Sequence, residues 1–401
     1  MPTSRPDRPA GQQLTGNSGK PARNVLVTGV TSFLNDISSE MTYPLIPLFL
    51  TALGAPAAAL GAIEGLAEST AALLKTFSGW WSDRVGRRKP LAIGGYAGSS
   101  LGKLLLYAAT GWPLVLAGRL TDRIGKGIRT APRDALIADS TPEGSRGRAF
   151  GLHRAMDTIG AAVGVLFAIL FLRRFGTGLD PSGYRPVFLI ALIPALAGTA
   201  VLLLIREPKV CHTRRNLPRL SLSGLPLRLK LFLLVIGLFA LGNSSNMFLL
   251  LRAGNLGFSP VGVLVLYLVF NLTYGLLSYP AGRLSDRVGR KRLLITGYLL
   301  YGAVYIGFAL APSGQWAWPL FTVYGLFYAL TEGLEKALVA DIAPVERRAT
   351  FVGLHSTLVG IGLLPASLIA GALWAGLGPA ATFWFGGALG IAAALGLLIV
   401  L

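Results

Sequence analysis

The sequence predicts an all-α, polytopic membrane protein of twelve transmembrane helices, arranged as two pseudo-symmetric six-helix bundles. Three observations carry this expectation: a composition poor in charge, twelve apolar runs of membrane-spanning length, and an internal repeat. Of the 401 residues, 53% are hydrophobic and only 14% charged, with a mean hydropathy of +0.59. A soluble domain carries about 25% charged residues. Lipid enforces the difference, because a charge left unpaired in hydrocarbon costs several kcal/mol. The 51 glycines and 24 prolines fit the same reading, since membrane helices tolerate both.

The apolar runs come next. A bilayer core of about 30 Å needs roughly 20 residues of helix. Runs of that kind fall near 25–50, 56–78, 90–109, 112–136, 149–172 and 187–205, then near 230–252, 260–281, 293–311, 317–340, 351–375 and 380–400. Twelve spans put both termini on one side. With the N-terminus inside, the inner segments collect twenty-four Arg and Lys and the outer loops only Arg173, Arg174, Arg185 and Arg252. Such a bias marks the cytoplasmic side of a bacterial-type inner membrane, multi-pass with both termini cytoplasmic. It also accounts for the net charge of +19 without nucleic acid, for which there is no compact basic domain.

Residues 1–23 are rich in Pro, Gly and polar side chains and lack the apolar stretch of a signal peptide, so they read as a disordered cytoplasmic tail. Residues 24–206 form the first bundle, 207–228 a cytoplasmic linker, and 229–401 the second bundle. Cys211 is the single cysteine, which excludes an internal disulfide. His153, His212 and His355 are too few and too scattered to read as a metal motif, and no cofactor is expected.

The repeat joins the halves. Gly79-Trp-Trp-Ser-Asp83-Arg84-Val-Gly86-Arg87-Arg88 recurs 203 residues on as Gly282-Arg-Leu-Ser-Asp286-Arg287-Val-Gly289-Arg290-Lys291. Ala135-Leu-Ile-Ala-Asp139, Pro142 and Gly151-Leu-His153 recur 202 residues on as Ala337-Leu-Val-Ala-Asp341, Pro344 and Gly353-Leu-His355. One residue of drift indicates duplication, and related halves around a central site are a transporter arrangement.

The two Gly-x-x-x-Asp-Arg-x-Gly-Arg loops resemble motif A of the major facilitator superfamily. Met41-Thr-Tyr-Pro44-Leu-Ile-Pro47 resembles the paired-proline segment of its drug and metabolite:proton antiporters. The resemblance implies a gate formed by Gly79, Asp83, Arg84, Gly86 and Arg87, and in the second half by Gly282, Asp286, Arg287, Gly289 and Arg290. Physically, a carboxylate at the end of a span can pair with neighbouring bases and with a helix N-terminus. The bland alternative is a solvated basic loop that sets topology only.

Four acids lie inside spans. Asp36 and Glu40 are four apart in span 1, as are Glu64 and Glu68 in span 2, so each pair shares a helix face. Lipid is closed to them, so they should face the interior as substrate- or proton-binding groups. The alternative is structural pairing with Lys75, Lys103 or the bases of span 4. That span carries Arg119, Asp122, Arg123, Lys126, Arg129, Arg133 and Asp134. Arg119 falls where the superfamily's proton-coupled exporters place an arginine of motif B. Arg123 stands where that motif has glycine, while Gly125 and Gly127 match. Asp122 should pair with Arg119, and His153 with Asp157. Gly160 and Gly164 suit close helix contact in span 5.

In the second half Asn243 and Asn246 interrupt span 7, and Glu332 stands in the otherwise apolar and aromatic span 10. These join the candidate binding residues. The expected activity is not enzymatic: it is secondary transport of a small molecule by alternating access, coupled to protons, directed outward, and carried out by a monomer in the lipid bilayer. Export of a divalent metal or siderophore is the alternative within the class. A lipid-modifying membrane enzyme is the alternative outside it, although no nucleophile–base or metal constellation supports one. No Gly-x4-Gly-Lys-Ser/Thr loop is present to bind ATP.

Overall fold

The computed structural model describes residues 23–142, 145–175, 180–207, 227–342 and 348–400. The N-terminal tail and nearly all of the expected linker therefore lie outside the described residues. Every regular element within them is helical. The first half contains α1 (Arg23–Thr42), α2 (Ile46–Ala52), α3 (Ala57–Val85), α4 (Lys89–Ala108), α5 (Trp112–Asp139), α6 (Arg146–Phe175) and α7 (Arg185–Leu202). The second contains α8 (Leu227–Gly242), α9 (Met247–Asn255), α10 (Pro260–Val288), α11 (Arg290–Leu310), α12 (Ala317–Ile342), α13 (Arg348–Leu377) and α14 (Pro379–Val400).

These fourteen helices make twelve spans, because α1–α2 and α8–α9 are each one broken span. The first break follows from Pro44 and Pro47, which remove backbone donors and tighten Tyr43–Leu45 into a 3-10 turn. The second is the Asn243–Asn246 stretch, whose short polar side chains compete for backbone hydrogen bonds. Eight spans are long and apolar enough to cross a membrane by composition alone. The other four, α1–α2, α4, α5 and α12, carry most of the buried polar and charged groups described below. Apolar side chains such as Ile193, Leu234, Leu276 and Ile399 cover the outside, as a lipid-facing surface requires.

Within the first half α1 packs on α6 and α7, and α5 on α3 and α4; within the second α12 packs on α10 and α11, and α14 on α8 and α11. The halves meet along a seam where α3 lies against α13, α6 against α10, and α2 against α9. At the α2–α9 end Leu48, Phe49, Met247, Phe248 and Leu250 are buried in the largest apolar cluster. The α4–α5 contact is backbone on backbone. A Cβ on Gly102 would stand 2.6 Å from the Gly118 carbonyl, and one on Gly118 2.9 Å from the Gly102 carbonyl.

The motif loop ends α3 through Gly86, whose φ of +67° is left-handed and whose N–H bonds to the Ser82 carbonyl. Only glycine takes that conformation without cost. Gly86→Ala should therefore lower stability by about 1–2 kcal/mol, read from thermal unfolding in detergent. An unchanged melting temperature would show that the turn relaxes freely.

Candidate functional site

The chain's buried charges concentrate in one network. Arg119 on α5 is 2% exposed and Glu64 on α3 is fully buried. The guanidinium donates from Nε to Glu64 at 2.7 Å, and its second arm lies 2.6 Å from the same oxygen. Both nitrogens approach one carboxylate oxygen, and the bond from Nε is charge-assisted. Arg119 also reaches Asp122 at 3.5 Å and Glu68 at 3.8 Å, and its guanidinium sits 5.3 Å from the Tyr43 ring centroid. Arg123 binds Glu68 at 3.2 Å and Asp122 at 3.4 Å, and Lys103 from α4 closes on Asp122 at 3.4 Å. The expected Arg119–Asp122 pair forms. For Glu64 and Glu68 the geometry is that of the structural alternative, with Arg119 and Arg123 as partners.

The network touches the other half. Ser245, in the break of span 7, points its hydroxyl at Glu64 across 3.5 Å. Tyr267 on α10 donates to Glu40 at 2.9 Å, and Ser69 beside Glu68 donates to the Gly360 carbonyl at 2.9 Å. Two of the four membrane acids thus make hydrogen bonds across the seam. Asp36 makes no ion pair within 4 Å among the described residues. Lys126 is exposed although it lies midway along α5, within electrostatic reach of Glu68 and Asp36. Sequence reading placed Lys126 among the bases of span 4 and did not single it out. Its signal was position: an exposed ammonium in mid-span must face a polar space.

Below this, on the side of the motif loops, a cavity of about 260 Å³ opens between the halves. Arg154, Tyr274, Ser278, Tyr328, Glu332 and Lys336 line it. Arg154 donates to the Tyr274 hydroxyl at 3.0 Å, which in turn donates to Glu332. Asn246 accepts from Tyr324 at 2.8 Å and Tyr328 at 3.1 Å, so it orients the aromatic face of α12. The buried side-chain carbonyl of Asn243 has no hydrogen-bond partner among the described residues. Glu332, Asn243 and Asn246 therefore belong to the second-half wall, apart from the Arg119 network. His153 and Asp157 pair at 3.4 Å, as the spacing implied.

The residues that the motif resemblance marks as a gate are only partly in view. The side chains of Asp83 and Asp286 lie outside the described residues. Gly79 packs its bare Cα near Ala131, while Gly282 borders the cavity. Arg84 stacks over Trp80 at 5.4 Å, and Arg87 and Arg287 are exposed. Ion pairs do form at the loops: Arg88 with Asp139 and Arg290 with Asp341. Both tie a loop to the end of the fourth span of its own half, not across the seam. Gly289 has a φ of +96° at the junction of α10 and α11.

Two helical bundles in a membrane, joined along a polar seam that holds charge in its centre, define a transporter. The chain belongs to the Major Facilitator Superfamily, whose family model matches residues 28–251 and 231–401. It is 38% identical over 395 residues to an uncharacterised MFS-type transporter of Methanocaldococcus jannaschii, covering 97% of this chain and 98% of that one. A tetracycline resistance protein, class G, of Vibrio anguillarum is 24% identical over 377 residues, 88% of this chain and 90% of the relative. The multidrug resistance protein MdtH of Sodalis glossinidius is 26% identical over 80% of this chain and 78% of its own length. Among solved structures, the fold matches the nucleoside transporter NupG with a TM-score of 0.78 at 13% identity, over 94% of this chain and 99% of the other. It also matches a D-xylose–proton symporter with a TM-score of 0.74 at 19% identity, over 93% and 96%.

Proposed function

We propose that this chain works as a monomer in a bacterial-type inner membrane, both termini cytoplasmic, and exports a small organic molecule in exchange for protons. The observation that carries the reading is the pair of hydrogen bonds from the second half to first-half acids, Tyr267 to Glu40 and Ser245 to Glu64. A bond to a carboxylate is roughly twice as strong as one to a neutral acceptor. Protonation of Glu40 therefore weakens a contact that holds the halves together, and its loss strengthens it. This gives the proton a differential interaction with two arrangements of the seam, which coupling requires. Residues 24–206 then rock against 229–401, with the motif loops, Asp83 and Asp286 included, biasing the equilibrium on the cytoplasmic side.

Solute contact falls to groups the seam leaves accessible: Asp36 and Lys126 on one wall, Asn243 and Glu332 on the other. Outward direction is supported by the names of the tetracycline and multidrug resistance relatives. The metal-export alternative is less well supported, because Glu64 and Glu68 are engaged by arginines. Among the described residues no group of three His, Cys, Asp or Glu gathers to hold an ion.

The test is flux in proteoliposomes against an imposed pH gradient, with tetracycline, cationic drugs and siderophores as probes. Gradient-driven flux of one probe is expected, falling at least about tenfold in Glu40→Gln and Asp36→Asn, which is about 1.4 kcal/mol of lost coupling. Flux that ignores both the gradient and the substitutions removes protons from the mechanism.

A further inference from the structure

The repeat runs deeper than the motif loops. At an offset of 202, Lys89-Pro-Leu91-Ala-Ile93-Gly-Gly95-Tyr96 at the head of α4 aligns with Lys291-Arg-Leu293-Leu-Ile295-Thr-Gly297-Tyr298 at the head of α11. The same offset superposes His153 on His355. It also sets Arg133-Asp134 against Glu335-Lys336, a pair of reversed charges inside otherwise matching segments. Three equivalent positions, on the third, fourth and fifth spans of each half, thus hold Tyr–Arg–His in the first half and Tyr–Glu–His in the second.

Both triads assemble. In the first half they meet through Ser32, whose hydroxyl lies 3.1 Å from the Tyr96 hydroxyl and 2.8 Å from His153 Nε2 and accepts from Arg133 at 3.2 Å. In the second half no serine is needed, because the carboxylate is the hub. Tyr298 donates to one Glu335 oxygen at 2.9 Å, and His355 Nε2 lies 3.1 Å from the other. Tyr298 is held by Phe239, stacked at 4.0 Å and 10°. The His355 side chain is 3% exposed and that of Glu335 12%.

The exchange of Arg for Glu changes what the site can do. A guanidinium does not give up its proton in a protein, so the first-half triad keeps its charge. A carboxylate and an imidazole in contact can share, gain or lose a proton as one unit. His355 Nδ1 is buried with no hydrogen-bond partner among the described residues, so no neighbour fixes the ring's tautomer, and Nε2, against Glu335, is where a proton can pass between the two groups. The surrounding elements also carry Glu332, Lys336 and Asp341 on α12, Tyr274, Arg283 and Arg287 on α10, Arg290, Lys291 and Arg292 at the head of α11, Arg228 and Lys230 on α8, and Lys75 on α3. None of the charged ones pairs with Glu335 within 4 Å among the described residues.

We propose that Glu335 and His355, steadied by Tyr298, form a second proton-binding site in the C-terminal half, separate from the acids of spans 1 and 2. The pair alternates between carboxylate with imidazolium and carboxylate with neutral imidazole. The proton given up by Nε2 leaves by way of Glu335, which lies one helical turn from the Glu332 that lines the cavity.

With only three histidines in the chain, the imidazole resonances of ¹³C-histidine-labelled protein in nanodiscs can be assigned by His153→Gln, His212→Gln and His355→Gln. The resonance lost in His355→Gln should respond to the pH of the medium, and Glu335→Gln, which keeps an acceptor for Tyr298, should change that response. A resonance that ignores pH, or one that responds identically in Glu335→Gln, overturns the proposal. If Glu335→Gln does not fold, Tyr298→Phe serves instead: it removes one bond to the carboxylate and should change the response too, and an unchanged response there also refutes the pair. Proteoliposome flux separates this from the wider reading. Gradient-driven flux in a protein whose His355 is silent removes the second site and leaves transport standing.

Discussion

Arg119→Met should abolish transport and destabilise the fold by about 3–5 kcal/mol, because it strands a fully buried Glu64 without its counter-charge. The two consequences have different causes and can be separated. Removing both charges in Arg119→Met/Glu64→Gln takes the uncompensated carboxylate away, and replacing a buried pair by neutral groups is often close to neutral in stability. The double variant should therefore regain most of the melting temperature while flux stays absent. Arg119→Lys keeps the charge but loses the Nε hydrogen bond to Glu64 and the guanidinium contact with Tyr43, so an intermediate melting temperature is expected. Thermal unfolding in detergent beside proteoliposome flux reads both effects. A single variant as stable as the parent would mean that Glu64 does not depend on Arg119. A double variant that transports normally would confine the pair to scaffolding.

The second large effect concerns backbone contact. Gly102→Ala places a Cβ 2.6 Å from the Gly118 carbonyl and 2.7 Å from the Asp122 amide. Neither is the movable end of a side chain, so α4 must back away from α5 as a unit. Overpacking of this sort costs about 1–3 kcal/mol. The displacement also carries Lys103 away from Asp122, now 3.4 Å apart. Gly94, on the same helix, has open space where its Cβ would be. Gly94→Ala should leave stability unchanged or raise it by up to about 1 kcal/mol through helix propensity. Equal melting temperatures for the two alanine variants would show that the α4–α5 approach is not tight in the membrane.

Much of the architecture was legible in the sequence for a simple reason. Lipid penalises every exposed backbone amide and every unpaired charge, so span length, span number and the paired halves are written in composition and repeat. The break in span 7 was legible too, in the Asn243–Asn246 run, whereas span 1 read as one continuous run and its break at Pro44 and Pro47 is seen only in the structure. The acids Asp36, Glu40, Glu64 and Glu68 could be recognised as interior groups by the same penalty.

What sequence could not decide was company. Spacing placed Glu64 and Glu68 on one helix face, yet only packing of α3 against α5 set Arg119 and Arg123 before them and left Asp36 without an ion pair within 4 Å among the described residues. Tyr267 and Ser245 gave no sign that they would reach Glu40 and Glu64, because each contact joins residues about two hundred positions apart in different halves. Lys126 became distinct from its neighbours only when its exposure was seen. A helix's own periodicity fixes which residues share a face. Which other helix that face meets depends on how twelve of them pack, and that decides whether a buried charge is neutralised, shared across the seam, or left open to a solute.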